Sequence, residues 1–148
     1  MRISHLAFFL MLLAFTPLTA LAAESIGSVS NSSGLAEIIR DGRTLPAGKG
    51  AELFAQDRVR TGDNGSLGII LRDDTTLSLG PRSEADLREF AFKPKEKRFA
   101  FVARLVRGTF SYLSGVIGKL SPESIRLETP EATIAVRGTR LLIQVEDP

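Results

Sequence analysis

The chain has 148 residues, which fits a single domain, and its 19 basic and 17 acidic side chains give a formal net charge of only +2. So small a net charge gives no support for a nucleic-acid partner. There is no cysteine, and the single histidine is His5; beyond that residue the composition excludes disulfides, Cys- or His-based metal and haem sites, and Ser-His-Asp or Cys-His catalysis.

The first 22 residues have the features of a secretory signal peptide. Arg2 supplies a positive start, residues 6–15 form an apolar run, and Ala20-Leu21-Ala22 puts small residues where a signal peptidase reads the chain. We expect cleavage after Ala22, which leaves residues 23–148 as one exported domain, periplasmic or secreted. The apolar run is short for a bilayer crossing and no second run of about 20 apolar residues follows it, so we expect the mature domain to be soluble.

Residues 57–79 carry the clearest strand pattern. Asp63-Asn64-Gly65 is a tight-turn sequence, because Asn and Gly tolerate positive φ, and Arg72-Asp73-Asp74 provides a second turn. After each turn, alternate residues are apolar: Leu67, Ile69 and Leu71, then Leu77 and Leu79. The segment predicts two consecutive strands joined by short turns.

Similar short runs, punctuated by Gly, Asp and Pro, occupy the rest of the chain. They include Ile38-Ile39, Ile125 with Leu127, Ile134 with Val136, and Leu141 with Ile143 and Val145. Only residues 83–92 have helical features, with Ser83 as a possible cap, so a helix competes with a strand there. Turn signals at intervals of about 8 to 12 residues predict an all-β domain of short strands, either a β-sandwich or a short β-solenoid-like roll.

One tetrapeptide occurs twice. Val106-Arg107-Gly108-Thr109 is repeated thirty positions later as Val136-Arg137-Gly138-Thr139. A glycine within a strand pattern marks a bulge or a close backbone approach, so we interpret the two copies as equivalent bends in a layered sheet. Two copies do not establish a repeat architecture.

The order of these segments resembles the FecR-type periplasmic domain. The matching pieces are Gly27-Ser28-Val29, residues 50–62 (GAELFAQDRVRTG), the two alternating strands, and residues 129–139 (TPEATIAVRGT). The sequence departs from the family pattern at two turn positions, where Gln56 and Asp74 stand in place of glycine.

The resemblance implies a role in cell-envelope signalling. FecR-type regulators combine a cytoplasmic segment that binds a sigma factor, one membrane helix, and a periplasmic region that receives a signal from an outer-membrane receptor. This chain looks like the periplasmic domain standing alone. We therefore expect a non-catalytic, cofactor-free protein-interaction or sensory accessory module with an envelope protein as its partner.

A basic segment offers an alternative function. Lys93, Lys95, Lys97 and Arg98 surround Pro94 and Glu96, and phenylalanines alternate on both flanks. A hairpin with a basic tip and an aromatic base would suit an envelope polymer or an anionic lipid surface. The competing interpretation is a solvated tip whose charges keep the sheet from pairing with other chains.

The closing motif is the other candidate site. Arg137 is either an exposed partner contact or the ion-pair partner of Glu128 or Glu131, with Gly138 required by the backbone. We favour the structural interpretation and expect a large side chain at Gly138 to lower stability strongly. The resemblance assigns structural roles to a further set of motif residues: Asp57, Thr61, Gly62, Pro130, Gly138 and Thr139.

The acidic residues offer no better site. Asp57, Asp63, Asp73 and Asp74 fall at predicted turns without the spacing of a calcium loop, so we expect turn residues and no metal. A carboxylate-based hydrolase is the third alternative. It would need Glu84 and Asp86, or Glu128 and Glu131, to face each other across a cleft.

Overall fold

A computed structural model describes residues 17–18 and 22–147. The strands are β1 (Gly27–Ser33), β2 (Ala36–Arg40), β3 (Arg43–Pro46), β4 (Glu52–Leu53), β5 (Arg58–Thr61), β6 (Ser66–Leu71), β7 (Thr76–Leu79), β8 (Glu84–Lys93), β9 (Arg98–Leu113), β10 (Ile125–Glu128), β11 (Thr133–Ala135) and β12 (Arg140–Val145). The helical elements are α1 (Val116–Leu120) and two 3₁₀ turns, Pro94–Glu96 and Pro122–Ser124. The prediction of an all-β domain is confirmed.

The strands form one continuous twelve-stranded sheet that curls into a half-barrel. Its main path runs in the order β3-β2-β5-β8-β9-β7-β6-β1-β4, while β10 and β12 each add to β9, and β11 adds to β10. Every pairing is antiparallel except that of β10 with β9, which is parallel. The curl comes from β9, whose 16 residues serve two groups of strands in turn.

The bend in β9 lies at the first copy of the repeated tetrapeptide. Before the bend β9 pairs with β8 and β10, and after it with β7 and β12. Val106 is an extra residue in the ladder with β8, and Gly108 follows with φ of +100°. Such a bulge bends a strand and increases its twist.

At the second tetrapeptide copy the chain also crosses from one group of strands to the other. Gly138 has φ of +106°, and the chain moves there from β11, in the group of strands around β8, to β12, in the group around β7. Both copies therefore lie where the chain passes between the two groups of strands, but Gly108 is within β9 and Gly138 is in the loop between β11 and β12. They differ in their surroundings, because a Cβ atom added at Gly108 would lie 2.5 Å from Ser83 Cα, whereas one added at Gly138 would meet nothing within 4 Å.

The core lies on the concave side of the curled sheet. All five apolar residues of the predicted strand pair are buried, at 0 to 2% exposure: Leu67, Ile69, Leu71, Leu77 and Leu79. Phe101 and Tyr112 stack at 6.4 Å between ring centroids and join the two parts of β9 through the core. The turns at Asp63-Asn64 and at residues 72–74 lie where the sequence predicts them.

Residues 83–92 form a strand, so the competing helix is wrong. Ala85 and Leu87 are buried in the apolar core, while Glu84 and Asp86 lie on the opposite face, where arginines cover them, and this is the alternation of a strand with one face on the core. Pairing with β5 on one side and β9 on the other fixes this conformation. The sequence analysis did not predict α1, a five-residue helix.

The expected leader, residues 1–22, lies outside the described residues except for 17, 18 and 22. Across residues 17–18 and 22–147, no helix combines the length and the apolar character that a membrane span needs.

Candidate functional site

Asp57 holds a turn together. It is 1% exposed and accepts hydrogen bonds from Arg40 Nε (2.8 Å), Arg40 Nη2 (2.7 Å) and the backbone N–H of Phe54 (2.9 Å). The Arg40 guanidinium also lies 4.6 Å from the centre of the Phe54 ring. The hydrogen bond to Asp57 raises the pKa of Arg40, against the opposing effect of partial burial. This bidentate pair joins β2 to the β4–β5 turn.

Thr61 and Gly62 fix the contact between β5 and the segment before β8. Thr61 Oγ1 donates to the Gly80 carbonyl (2.6 Å) and accepts from the Ser83 N–H (2.9 Å). A Cβ atom at Gly62 would lie 2.9 Å from Leu35 Cβ, so the close approach of these chains leaves no room for a side chain.

The two departures from the family pattern both occupy left-handed backbone. Gln56 has φ of +75° and Asp74 has φ of +67°. Glycine adopts this conformation without steric cost, whereas other L-residues are strained there. The geometry therefore accounts for the family's glycine at both positions.

Three of the four candidate catalytic carboxylates, Glu84, Asp86 and Glu128, lie on an outer sheet face crossed by two rows of alternating charge. The fourth, Glu131, is exposed in the β10–β11 turn. One row, from β2 to β9, is Glu37, Arg60, Glu84 and Arg107; the other, from β5 to β10, is Arg58, Asp86, Arg104 and Glu128. Arg58 bridges Glu84 (2.9 Å) and Asp86 (2.5 Å), so this pair is held by a cation and does not face across a cleft. The sequence analysis missed these rows, although the alternation in Arg58-Val59-Arg60 and Glu84-Ala85-Asp86 indicates them.

The predicted turn aspartates are placed separately. Asp73 is buried and accepts hydrogen bonds from Thr75 Oγ1 (2.8 Å) and the backbone N–H of Ile117 (3.0 Å), which joins the β6–β7 turn to α1. Asp63 and Asp74 are exposed. In the part of the chain that the structure describes, no group of three or more acidic side chains is arranged to hold a metal ion.

The basic segment forms the tip of the β8–β9 hairpin. All six residues from 93 to 98 are exposed, and the 3₁₀ turn closes with Lys97 N–H donating to the Pro94 carbonyl (3.1 Å). Four phenylalanines lie behind the tip on one face of the hairpin and pair across it: Phe92 with Phe99 at 6.2 Å, and Phe90 with Phe101 at 6.5 Å. This is the arrangement of basic tip and aromatic base that the sequence analysis predicts.

Arg137 does not form the ion pair that the structural interpretation expects. Glu128 instead pairs with Arg126 (3.1 Å) and Arg88 (3.5 Å). Arg137 is exposed and makes no ion pair with any described residue. Glu128 is already paired with one arginine on β8 and one on β10, and the exposed Arg137 guanidinium is left in solvent.

Arg137 lines a cleft of about 710 Å³ between α1 and the loop that connects β11 to β12. We call this the Arg137 cleft. Its charged side chains are Lys119, Glu123 and Arg137, and its exposed apolar residues are Pro122 and Ala135. Ile125 and Val136 also line it but are only 3% and 6% exposed; the other lining residues are Ser114, Gly118, Gly138 and Thr139. The sequence analysis singled out Arg137 but not the cleft, because the opposite wall comes from residues that precede β10.

Two further motif residues flank this region. Pro130 is exposed in the β10–β11 turn, where Thr129 N–H donates to the Ala132 carbonyl (2.8 Å). The Thr139 carbonyl accepts a hydrogen bond from Ser114 N–H (2.8 Å), which fixes the end of the cleft.

Tyr112 lies below the α1 wall of the cleft. Its side chain is fully buried, and its hydroxyl makes no hydrogen bond of good geometry with the described residues, although the Ser114 hydroxyl is near. Burial raises the pKa of Tyr112, and the Ser114 hydroxyl opposes that shift.

Comparison with protein families gives one match. The family model described as FecR protein matches residues 57–148. The match begins at Asp57, so the similar segments at residues 27–29 and 50–56 lie outside it. Comparisons with curated proteins and with solved structures gave no match. The match includes the Arg40-bound aspartate, both tetrapeptide copies, the basic hairpin and the Arg137 cleft, and the chain belongs to the FecR protein family, whose domains are typically periplasmic and serve in cell-envelope signalling.

Proposed function

We propose that this protein is an exported, non-catalytic interaction or sensory accessory module that binds an envelope protein in the Arg137 cleft. The observation that carries the proposal is the position of Arg137, which is exposed, without an ion-pair partner among the described residues, and beside an open cleft of about 710 Å³.

The lining of the cleft favours a protein segment with an acidic side chain. Lys119 and Arg137 provide two positive charges against the single carboxylate of Glu123. Pro122 and Ala135, both exposed, add apolar surface beside the charges. A partner that offers a carboxylate next to an apolar side chain would satisfy both, and the planar guanidinium can bind a carboxylate with two hydrogen bonds.

The charged groups elsewhere support a non-catalytic role. Glu84, Asp86 and Glu128 are each held by at least one arginine on the outer sheet face. Each of these carboxylates is therefore engaged with a cation on the sheet surface and does not face a second carboxylate across a cleft, as a glycosidase pair must. This arrangement gives the hydrolase alternative no support.

Site-specific photo-crosslinking in cells tests the proposal. A photoreactive residue is placed at Glu123 or Thr139, on opposite walls of the cleft, which leaves both cations in place. The control position is Asp63, because it is exposed in the β5–β6 turn outside the cleft. We expect the same envelope protein to crosslink at both cleft positions and not at Asp63.

Charge reversal provides the second arm. Arg137→Glu should abolish the adduct, and Arg137→Lys, which keeps the charge, should retain most of it. The proposal is wrong if no protein adduct forms at the cleft positions, or if Asp63 gives the same adduct with equal yield.

A further inference from the structure

The β8–β9 hairpin extends beyond the strands that flank it. β5 pairs with β8 only from Glu84 to Asp86, and β10 pairs with β9 only from Phe101 to Arg104. The last pairs of the hairpin, from Ala91↔Ala100 to Lys93↔Arg98, have no third strand beside them among the described residues. The tip is therefore open to a large partner from several directions.

The charge of the tip is not neutralised. Lys93, Lys95, Lys97 and Arg98 are opposed by Glu96 alone, and none of these four cations forms an ion pair with a described residue. Arginines farther down the same sheet differ, since Arg58, Arg60 and Arg88 each contact a carboxylate. The tip thus carries a net charge of +3, more than the +2 of the whole chain.

An aromatic column connects the tip to the core. Phe101 is buried against Tyr112, and the next pair outward, Phe92 with Phe99, is only partly buried. Aromatic pairs across a hairpin, here one tilted and one edge-to-face, stabilise its strand pairing and so support the tip that carries the cations. Apolar side chains such as Phe beside Lys and Arg are typical of segments that bind at a membrane interface.

From these features we infer that the hairpin tip binds the phosphate-bearing surface of an anionic lipid bilayer, with the Phe92–Phe99 pair at the headgroup level. The cations alone would suit a lipid phosphate or the phosphate of a soluble glycan equally. The partly exposed phenyl rings favour the lipid, because they gain an apolar environment only at a bilayer. This contact is separate from the Arg137 cleft and does not depend on the proposed function.

Vesicle co-sedimentation tests the inference with protein purified from the exported fraction. Its N-terminus is determined by mass spectrometry, because an attached apolar leader would itself bind lipid. We expect binding to vesicles that contain phosphatidylglycerol and none to vesicles of phosphatidylcholine alone. Each basic residue beside an anionic membrane strengthens partitioning about fivefold, so changing all four cations to Ser (the tip variant) should weaken binding by a factor on the order of 100 or more.

A matched control changes the same amount of charge elsewhere. Arg43, Lys49, Arg82 and Arg140 are exposed and lie outside the hairpin, and their change to Ser should leave vesicle binding within about threefold. Raising the ionic strength from about 0.01 M to about 1 M shortens the screening length from about 30 Å to about 3 Å and should release the native protein. Circular dichroism of both variants checks that they remain folded.

A single tryptophan reports the depth of the contact. The chain contains no Trp, so Phe99→Trp gives a fluorescence signal without background, and we expect its emission to shift to the blue on phosphatidylglycerol vesicles. The inference is overturned if the native protein does not bind these vesicles at low salt, or if the tip variant and the control lose binding equally. Binding to a soluble phosphorylated glycan, with no shift of the tryptophan emission on vesicles, would also overturn it.

Discussion

The two glycines of the repeated tetrapeptide provide a matched test of the fold, with Gly108→Ala and Gly138→Ala as the perturbations. Both glycines have φ near +100°, and holding an L-residue in such a conformation costs about 1–3 kcal/mol. At Gly138 that is the whole cost, because the space around it is open. At Gly108 the new methyl group would lie 2.5 Å from Ser83 Cα, and displacing a backbone in a packed region adds about 1–3 kcal/mol.

We therefore expect Gly138→Ala to lower the free energy of unfolding by about 1–3 kcal/mol, and Gly108→Ala by a further 1–3 kcal/mol, or about 2–6 kcal/mol in all. The first change should reduce Tm by about 3–15 °C. The loss that the sequence analysis predicts for Gly138 then comes from backbone strain alone, and we expect the larger loss at Gly108, where a neighbouring chain is in contact.

Urea unfolding followed by circular dichroism measures these changes, and an unchanged m-value shows that the same surface is exposed on unfolding. Gly48→Ala is the control, because Gly48 has open space and does not have positive φ; it should leave stability unchanged or slightly raised. Equal losses at Gly108 and Gly138, or a neutral Gly108→Ala, would refute the interpretation of Gly108 as the crowded bend of β9.

Three further predictions concern residues inside the fold. Gln56→Gly should raise the free energy of unfolding by about 0.5–1 kcal/mol in urea titrations, because it removes an exposed side chain from a left-handed backbone position. Asp74→Gly should raise it by less, since Asp tolerates the left-handed region better than Gln. A lower free energy of unfolding for Gln56→Gly would contradict this reasoning. Asp57→Ala should lower the free energy of unfolding by about 1.5–3 kcal/mol in the same assay, because Arg40 loses both carboxylate acceptors and keeps only the Glu52 carbonyl; a change below about 1 kcal/mol would contradict a stabilising role for the pair. Tyr112→Phe should be neutral or should stabilise the protein by up to about 1 kcal/mol near neutral pH. Burial raises the pKa of Tyr112 in the folded protein, so the native protein should lose stability as pH rises above about 10, where the unfolded chain releases this proton. The variant should lose less stability over the same pH range.

The strand pair β6–β7 could be predicted from the sequence because local rules act together there. Its turns contain residues that tolerate tight geometry, and its apolar residues alternate with period two. Residues 83–92 satisfy a weak helical pattern and a strand pattern at once. Pairing with β5 and β9 decides between them, and pairing of distant segments is not encoded in the local sequence.

Of the two candidate sites, one could be predicted from local sequence and the other could not. The basic tip is one continuous segment, so its residues and its hairpin could be predicted together. The Arg137 cleft joins α1 to residues on the far side of β10, and only the tertiary fold brings them together. The expected partner of Arg137 was wrong because Arg88 and Arg126, on β8 and β10, already neutralise Glu128.

The repeated tetrapeptide shows what a short repeat can and cannot indicate. Both copies place a glycine where the chain passes between the same two groups of strands. The repeated sequence therefore correctly predicts a change of chain direction at each glycine. They do not predict which bend is crowded, because Ser83 approaches only Gly108.

The central claim is that an envelope protein binds in the Arg137 cleft. The most direct test is crosslinking in cells, followed by affinity recovery and mass spectrometry. The comparison uses the native protein, Arg137→Glu and the tip variant. We predict that the native protein and the tip variant recover the same envelope protein in equal amounts, and that Arg137→Glu does not recover it. The account is contradicted if no envelope protein is recovered with the native chain, or if recovery is lost in the tip variant and retained in Arg137→Glu.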